Sequence, residues 1–214
     1  KELSEKAPGT FHHSLNVANL AEAAANEIGA NAMLVRVGAL YHDIGKMLNP
    51  TYFTENQSTG INPHDELSPK ESAQIIINHV IDGIELAKKN NLPDRVIDFI
   101  RTHHGSSMVY YFYNKQVESN LAFETSDFSY GGPKPFNKET AILMMCDSVE
   151  AASKSLKDPN STKINNFVDA IVSKQMDTEQ FLNATITLKE IQSIKKVLKH
   201  KLANMYHLRI EYPE

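Results

Sequence analysis

ALYHDIGKMLNP, residues 39–50, closes an apolar run with an imidazole, a carboxylate and an ammonium: His42 and Asp43 stand side by side, and Lys46 follows one turn later. The run itself, residues 31–44, reads as a largely buried helix with Gly45 at its end. An isolated His-Asp pair decides little. Its meaning depends on what surrounds that helix and on where the chain's other histidines fall.

Outward from this segment the pattern stays helical. Residues 11–29 place Leu15, Ala18, Ala21, Ala25 and Ile28 on one face, and Gly29 can stop the helix. Ser68-Pro69-Lys70-Glu71 combines an N-cap, a proline at the first helical position and a capping-box glutamate, opening a helix to about Lys89. Pro93 begins another that runs to about His103, and Asn137 caps one over 138–157. Ser161 and Thr178 start further short helices, and Thr187 with Glu190 forms a second capping box before a long basic-faced helix. SMVYYFY, residues 107–113, has strand composition but reads equally as an aromatic helix. Residues 49–67 and 114–136 read as irregular, and long loops in a compact domain often carry function. The expected fold class is all-α, a helical bundle forming one domain over 1–214.

The 214 residues are 41% hydrophobic and 22% charged, with a net charge of −4, which argues against a broadly basic surface for a nucleic-acid polymer. A small anionic substrate would need local positive charge, which bound metal ions can supply. The single cysteine, Cys146, allows no intrachain disulfide and fits a reducing compartment. No apolar run approaches the ~20 residues of a membrane span. The chain opens at Lys1 and reads as a piece of something longer.

Of nine histidines, five fall at telling places. His13 lies in the first turn of the first helix, His42 ends the second, His79 sits within the third, and His103-His104 end the fourth. Asp147 sits in LMMCDSVEAA, an apolar setting that is costly for a carboxylate unless it is paired or bound to a cation. Imidazoles and carboxylates are the ligand set of first-row transition metals. With Asp43, these candidates exceed what one ion needs. They suit two ions if Asp43 bridges, with His13, His42 and Asp147 on one and His79, His103 and His104 on the other. A nitrogen-rich set favours Fe or Mn, with Zn, Co or Ni behind them, over Mg.

The order H…HD…H…HH…D with HDIGK resembles the HD-domain phosphohydrolase superfamily. GTFHHSLNVANLAEAAA, HDIGK, HHGSS, DFSYGGPKP and CDSVEAASKSL are similar, more narrowly, to the cytosolic domain of seven-transmembrane receptors with an intracellular HD hydrolase, and the likeness covers residues 7 to 200. That family degrades the bacterial second messenger cyclic di-AMP. The resemblance implies metal ligands at His13, His42, Asp43, His79, His103, His104 and Asp147, the set already reached from the residues. It implies a binuclear phosphodiesterase that opens cyclic di-AMP to linear 5′-pApA by attack of a metal-bridging hydroxide. It also implies a cytoplasmic domain of a bacterial plasma-membrane protein. Three positions depart from the family pattern: Ser129 stands for an Arg, Gly131 for a Pro and Ser106 for a Thr.

Within that scheme Asp43 and Lys46 are the expected catalytic residues, with Lys46 facing phosphate as a point charge. Ser106, Tyr130 and Lys134 are the further expected substrate contacts. Tyr110, Tyr111, Phe112, Tyr113, Phe128 and Tyr130 offer stacking surface for a base, although such a stripe is more often core. His12, His64, His200 and His207 read as surface or structural, with lining of the substrate cleft as the lesser alternative for His64 in the NPHDE loop. Glu150, one turn past Asp147, divides evenly between orienting a ligand and ordinary surface. Cys146 reads as a small buried residue.

Other chemistries share the pattern. The cyclic di-GMP type carries Gly-Tyr-Pro after the HH pair, and only YGGP occurs here, at 130–133. A di-iron oxygenase on this fold uses six protein ligands and an open position, whereas seven candidates stand here. A mononuclear nucleotidase needs only His13, His42, Asp43 and Asp147. A sensing module has no need for two metals.

Overall fold

Gly29 adopts φ 70°, the left-handed conformation that a glycine reaches without penalty, and there it stops helix α2 (Pro8–Ile28). Pro8 occupies the first turn, where a missing N–H costs nothing. In the computed structural model, which describes residues 1–58 and 60–206, a short α1 (Glu2–Lys6) precedes it. After α2 come α3 (Ala32–Tyr41), α4 (Pro69–Lys89), α5 (Asp94–Thr102), α6 (Tyr110–Glu118), α7 (Lys138–Ser153), α8 (Ser161–Asp177) and α9 (Leu188–Met205). The described residues form no strand. Their one β-like feature is an antiparallel bridge between Met108 and Ser129. The fold is all-α, as expected. No helix among the described residues is long and apolar enough to cross a membrane.

Small residues set the core. Ala18, Ala21, Ala24 and Ala25 of α2 are fully buried, so α3, α7 and α9 can approach its backbone closely. α7 is enclosed nearly all round, with every residue from Thr140 to Asp147 buried. Asp147 therefore reaches its site from the middle of the core.

Both capping boxes form, at Ser68 with Glu71 and at Thr187 with Glu190, and Asn137 caps α7. Other expected boundaries move. α2 starts at Pro8 rather than residue 11, which puts His13 in its second turn. α3 ends at Tyr41, and Ile44–Leu48 continues as a tighter 3-10 helix. Gly45 does not stop a helix with a left-handed residue. A Cβ there would lie 1.9 Å from the His79 carbonyl oxygen and 2.6 Å from the Gly83 nitrogen. The glycine is needed so that this segment can lie against the α4 backbone. α7 stops at Ser153 rather than 157. Ser161 opens a 17-residue helix, longer than expected, and Thr178 caps its far end instead of starting another.

The 107–113 stretch does two things. Met108 makes the bridge to Ser129, and α6 begins at Tyr110. Residues 114–118 are therefore helical rather than irregular. The 49–67 segment is irregular apart from short 3-10 turns, and it packs over the start of α2 through Thr10, whose N–H donates to Asn56 Oδ1 at 3.1 Å. His207 lies outside the described residues.

Candidate metal centre

Helices α2, α3, α4, α5 and α7 bring seven side chains to one point. His13 comes from α2, His42 and Asp43 from the end of α3, and His79 from α4. His103 and His104 come from the end of α5, and Asp147 from α7. All are buried except His104, which is half-buried.

Three of the histidines are aimed by one local device. His42 Nδ1 lies 2.6 Å from the Ala39 carbonyl and His103 Nδ1 lies 2.7 Å from the Ile100 carbonyl. His79 Nδ1 pairs with the Ile76 carbonyl in the same way. Each carbonyl can only accept, so Nδ1 carries a proton and Nε2 points inward. His13 is oriented differently, by the Glu150 carboxylate at its Nδ1. Fixing the far nitrogen of a histidine in this manner is how proteins orient metal ligands.

The inward nitrogens converge on Asp43 from two sides. Oδ2 lies 3.3 Å from His42 Nε2 and 3.6 Å from His13 Nε2. Oδ1 lies 3.3 Å from His79 Nε2 and 3.4 Å from His103 Nε2. Asp147 Oδ1 sits 2.8 Å from His13 Nε2 and 3.4 Å from His42 Nε2. Two compact donor sets share Asp43, Asp43-His79-His103-His104 and His13-His42-Asp43, and a third, His42-His103-Asp147, spans them.

The donor chemistry fits cations. His42 Nε2 and Asp43 Oδ1 are buried with no hydrogen-bond partner among the described residues, a state that costs stability unless something fills it. His79 Nε2 and His103 Nε2 face each other at 3.2 Å, two lone pairs that repel unless a proton or metal lies between them. Burial and the neighbouring imidazoles push the pKa of His104 well below the ordinary histidine range, and burial with His42 lowers that of His103. Both are kept in the neutral form that ligates metal. His42 behaves oppositely. Burial disfavours its charge, but Asp43 and Asp147 outweigh burial and raise its pKa to about 10. Burial also opposes ionisation of Asp43 and Asp147, yet the facing histidines, with Lys46 at Asp43, hold both well below the usual carboxylate range.

Lys46 leaves the 3-10 turn one step past Asp43, and its Nζ lies 2.8 Å from Asp43 Oδ2 and 2.9 Å from Glu55 Oε1. Glu55 is held in turn by the Thr10 hydroxyl at 3.1 Å. Beside the cluster opens a cleft of about 620 Å³. Lys46, Thr54 and Glu55 line it from the 46–55 segment. Asp147, Ser148, Ala151, Lys154 and Ser155 line it from α7 and the turn after it, and His13 and His104 complete it.

Not every expected substrate contact reaches this cleft. Tyr130 stacks on His104 with ring centroids 4.2 Å apart, held there by the strand-like pairing of residues 107–109 with 128–130. Ser106 is exposed and bonds Gln180, whose Oε1 accepts from the Ser106 N–H at 3.0 Å. Lys134 is half-exposed and is not among the residues lining the cleft. Of the aromatics, Phe112 and Phe128 are core, packed with Tyr113, and Tyr111 is exposed. Tyr110 lines a neighbouring cavity of about 350 Å³, with Lys174 Nζ 3.4 Å from its ring centroid. His12 and His200 are exposed, and His64 packs inside the 49–67 segment against Tyr52 and Phe112. Glu150 resolves to the orienting role: it is 1% exposed and bonds His13, and Asn16 Nδ2 donates to it at 3.0 Å. Cys146 is fully buried, which pushes its thiol pKa up and keeps it inert.

Sequence reasoning missed Glu55, Asn16 and Lys154. Glu55 lies in an irregular stretch that carries no periodic signal. Asn16 and Lys154 had one, standing three residues from His13 and seven from Asp147, on the same helix faces.

The family model of the HD domain matches residues 10–152, which include all seven converging side chains. The chain belongs to the HD-domain family. This HD domain is 49% identical over its whole length to the cyclic-di-AMP phosphodiesterase PgpH of Listeria monocytogenes and 44% identical to that of Bacillus subtilis. It spans about 30% of the length of each. The crystal structure of the L. monocytogenes PgpH HD domain in complex with cyclic-di-AMP superposes with a TM-score of 0.93 at 48% identity, covering 99% of this chain and 98% of that one.

Proposed function

We propose that this HD domain hydrolyses cyclic di-AMP to linear 5′-pApA with two transition-metal ions, Fe or Mn, held by His13, His42, Asp43, His79, His103, His104 and Asp147. The observation that carries this reading is the division of Asp43. Its two oxygens face separate histidine sets, each fixed at Nδ1 so that Nε2 points inward. Likeness throughout the chain to an HD domain crystallised with cyclic-di-AMP supports the choice of substrate.

When bound, such a metal pair activates water and offsets charge developing on the phosphate. The protein's own part is positioning. His42, His79 and His103 are held by backbone carbonyls, and His13 by Glu150, so the donors need little rearrangement. Lys46 orients Asp43 and Glu55 with two of its three N–H donors, and the third is available to a phosphate oxygen in the cleft. We further infer that the chain is the cytoplasmic part of a longer bacterial membrane protein, and that its partner is the cyclic dinucleotide rather than a nucleic-acid polymer.

The test offers cyclic di-AMP, cyclic di-GMP and a linear dinucleotide in parallel with Mn²⁺ and identifies the products. Conversion of cyclic di-AMP to 5′-pApA, lost in the His42→Ala/Asp43→Ala double variant, is the expected result. Preference for cyclic di-GMP would overturn the substrate, and turnover by the double variant would overturn the site.

A further inference from the structure

The cleft is lined by two lysines in different electrostatic states. Lys46 has its side chain 13% exposed and stands between two carboxylates, Asp43 and Glu55. Its charge is already more than balanced. Lys154 lies seven residues past Asp147, two turns along the same stripe of α7, and it is the residue that caps that helix. Its side chain is 49% exposed, and its one ion-pair partner among the described residues is Glu150, at 3.3 Å. That carboxylate is itself committed to His13 and Asn16. An ion pair with one partner so exposed is weakly held, and a lysine on a flexible stem can leave it for a stronger acceptor.

A cyclic dinucleotide brings two phosphodiester charges into the cleft. The cluster and Lys46 take up the one to be cleaved. The other remains, and a monoanion in a partly enclosed cleft beside Asp147 and Glu55 is unfavourable without a counter-charge. We propose that Lys154 binds this second, uncleaved phosphate and so selects substrates carrying two diesters. The inference rests on the cyclic-dinucleotide reading above. It makes Lys154 a specificity-determining residue. Helix α7 would then do two jobs, supplying Asp147 to the metals at mid-helix and Lys154 to the substrate at its end.

The test compares wild type, Lys154→Met and Lys154→Arg on cyclic di-AMP and on bis(p-nitrophenyl) phosphate, a single diester, with metal content and melting temperature measured alongside. Lys154→Met should raise KM for cyclic di-AMP about tenfold or more, the loss of one charge-assisted hydrogen bond. The effect should fall on KM rather than kcat. Specificity for the cyclic substrate over the single diester should drop by a similar factor, and Lys154→Arg should restore most of it. Equal losses on both substrates, or no change in KM, would overturn the proposal while leaving the functional reading in place. A wild type that cleaves the single diester but not cyclic di-AMP would overturn both.

Discussion

At the scale of single residues, the site is governed by where protons sit. His42 has its Nδ1 tied to the Ala39 carbonyl and its Nε2 turned toward Asp43 and Asp147. Without a cation the pKa of this imidazole is raised from 6.5 to about 10, so at neutral pH it carries a proton on the nitrogen a metal would need. The sign follows. In the metal-free protein the raised pKa contributes stability that is fully present below about 6.5 and is lost as pH rises through about 10. Metal must displace that proton, so loading near pH 7 should release about one proton from His42. Apparent Mn²⁺ affinity should climb about tenfold per pH unit until pH approaches 10. Calorimetric titration in two buffers of different ionisation heat counts the proton. No release would mean that His42 is already neutral. The donor types were legible in the sequence because histidine and aspartate are rare choices for an apolar helix. Their aim was not, because it depends on a carbonyl one turn back and, for His13, on Glu150 from another helix.

At the scale of elements, helix starts were more legible than helix ends. Ser68, Asn137 and Thr187 announce their helices through side chains that bond N–H groups three residues on, a wholly local device. Ends answer to packing. Gly45 looks like a stop signal, yet its function is to let the 3-10 turn after Asp43 lie on α4. The close contact locks Asp43 to the helix that carries His79, so it sets the relation between the two donor sets. Gly45→Ala places a methyl 1.9 Å from the His79 carbonyl oxygen, which is backbone and cannot turn aside. The two elements must separate. Destabilisation of about 1–3 kcal/mol by urea unfolding is expected, together with a loss of metal stoichiometry larger than that stability change explains. A Gly45→Ala variant with full metal content and wild-type stability would show that the contact is slack.

At the scale of the molecule, the cluster acts as a fastener. Donors from α2, α3, α4, α5 and α7 meet at one point; α2, α3, α5 and α7 share the main apolar cluster, and α4 packs in two smaller ones. Charges and lone pairs at their junction repel when nothing lies between them: His79 faces His103, and Asp43 Oδ1 has no hydrogen-bond partner among the described residues. A bound cation removes that repulsion and binds only the folded chain, because the donors are spread from His13 to Asp147 in sequence. A ligand at a hundred times its dissociation constant stabilises the native state by about 2.7 kcal/mol. For a chain of this size that corresponds to roughly 5–10 °C in melting temperature. Removing metal with a chelator should lower Tm by that amount, and restoring Mn²⁺ should recover it in proportion to occupancy. Titration of Tm against metal added should saturate at about two ions per chain if Asp43 bridges two sites. Saturation at one ion would leave one histidine set without a cation and sink the binuclear reading. The His42→Ala/Asp43→Ala variant separates fastening from fold. It loses the bridge and a donor to one set but keeps the apolar core, so its Tm should no longer respond to metal while its helical content stays close to that of the metal-free wild type.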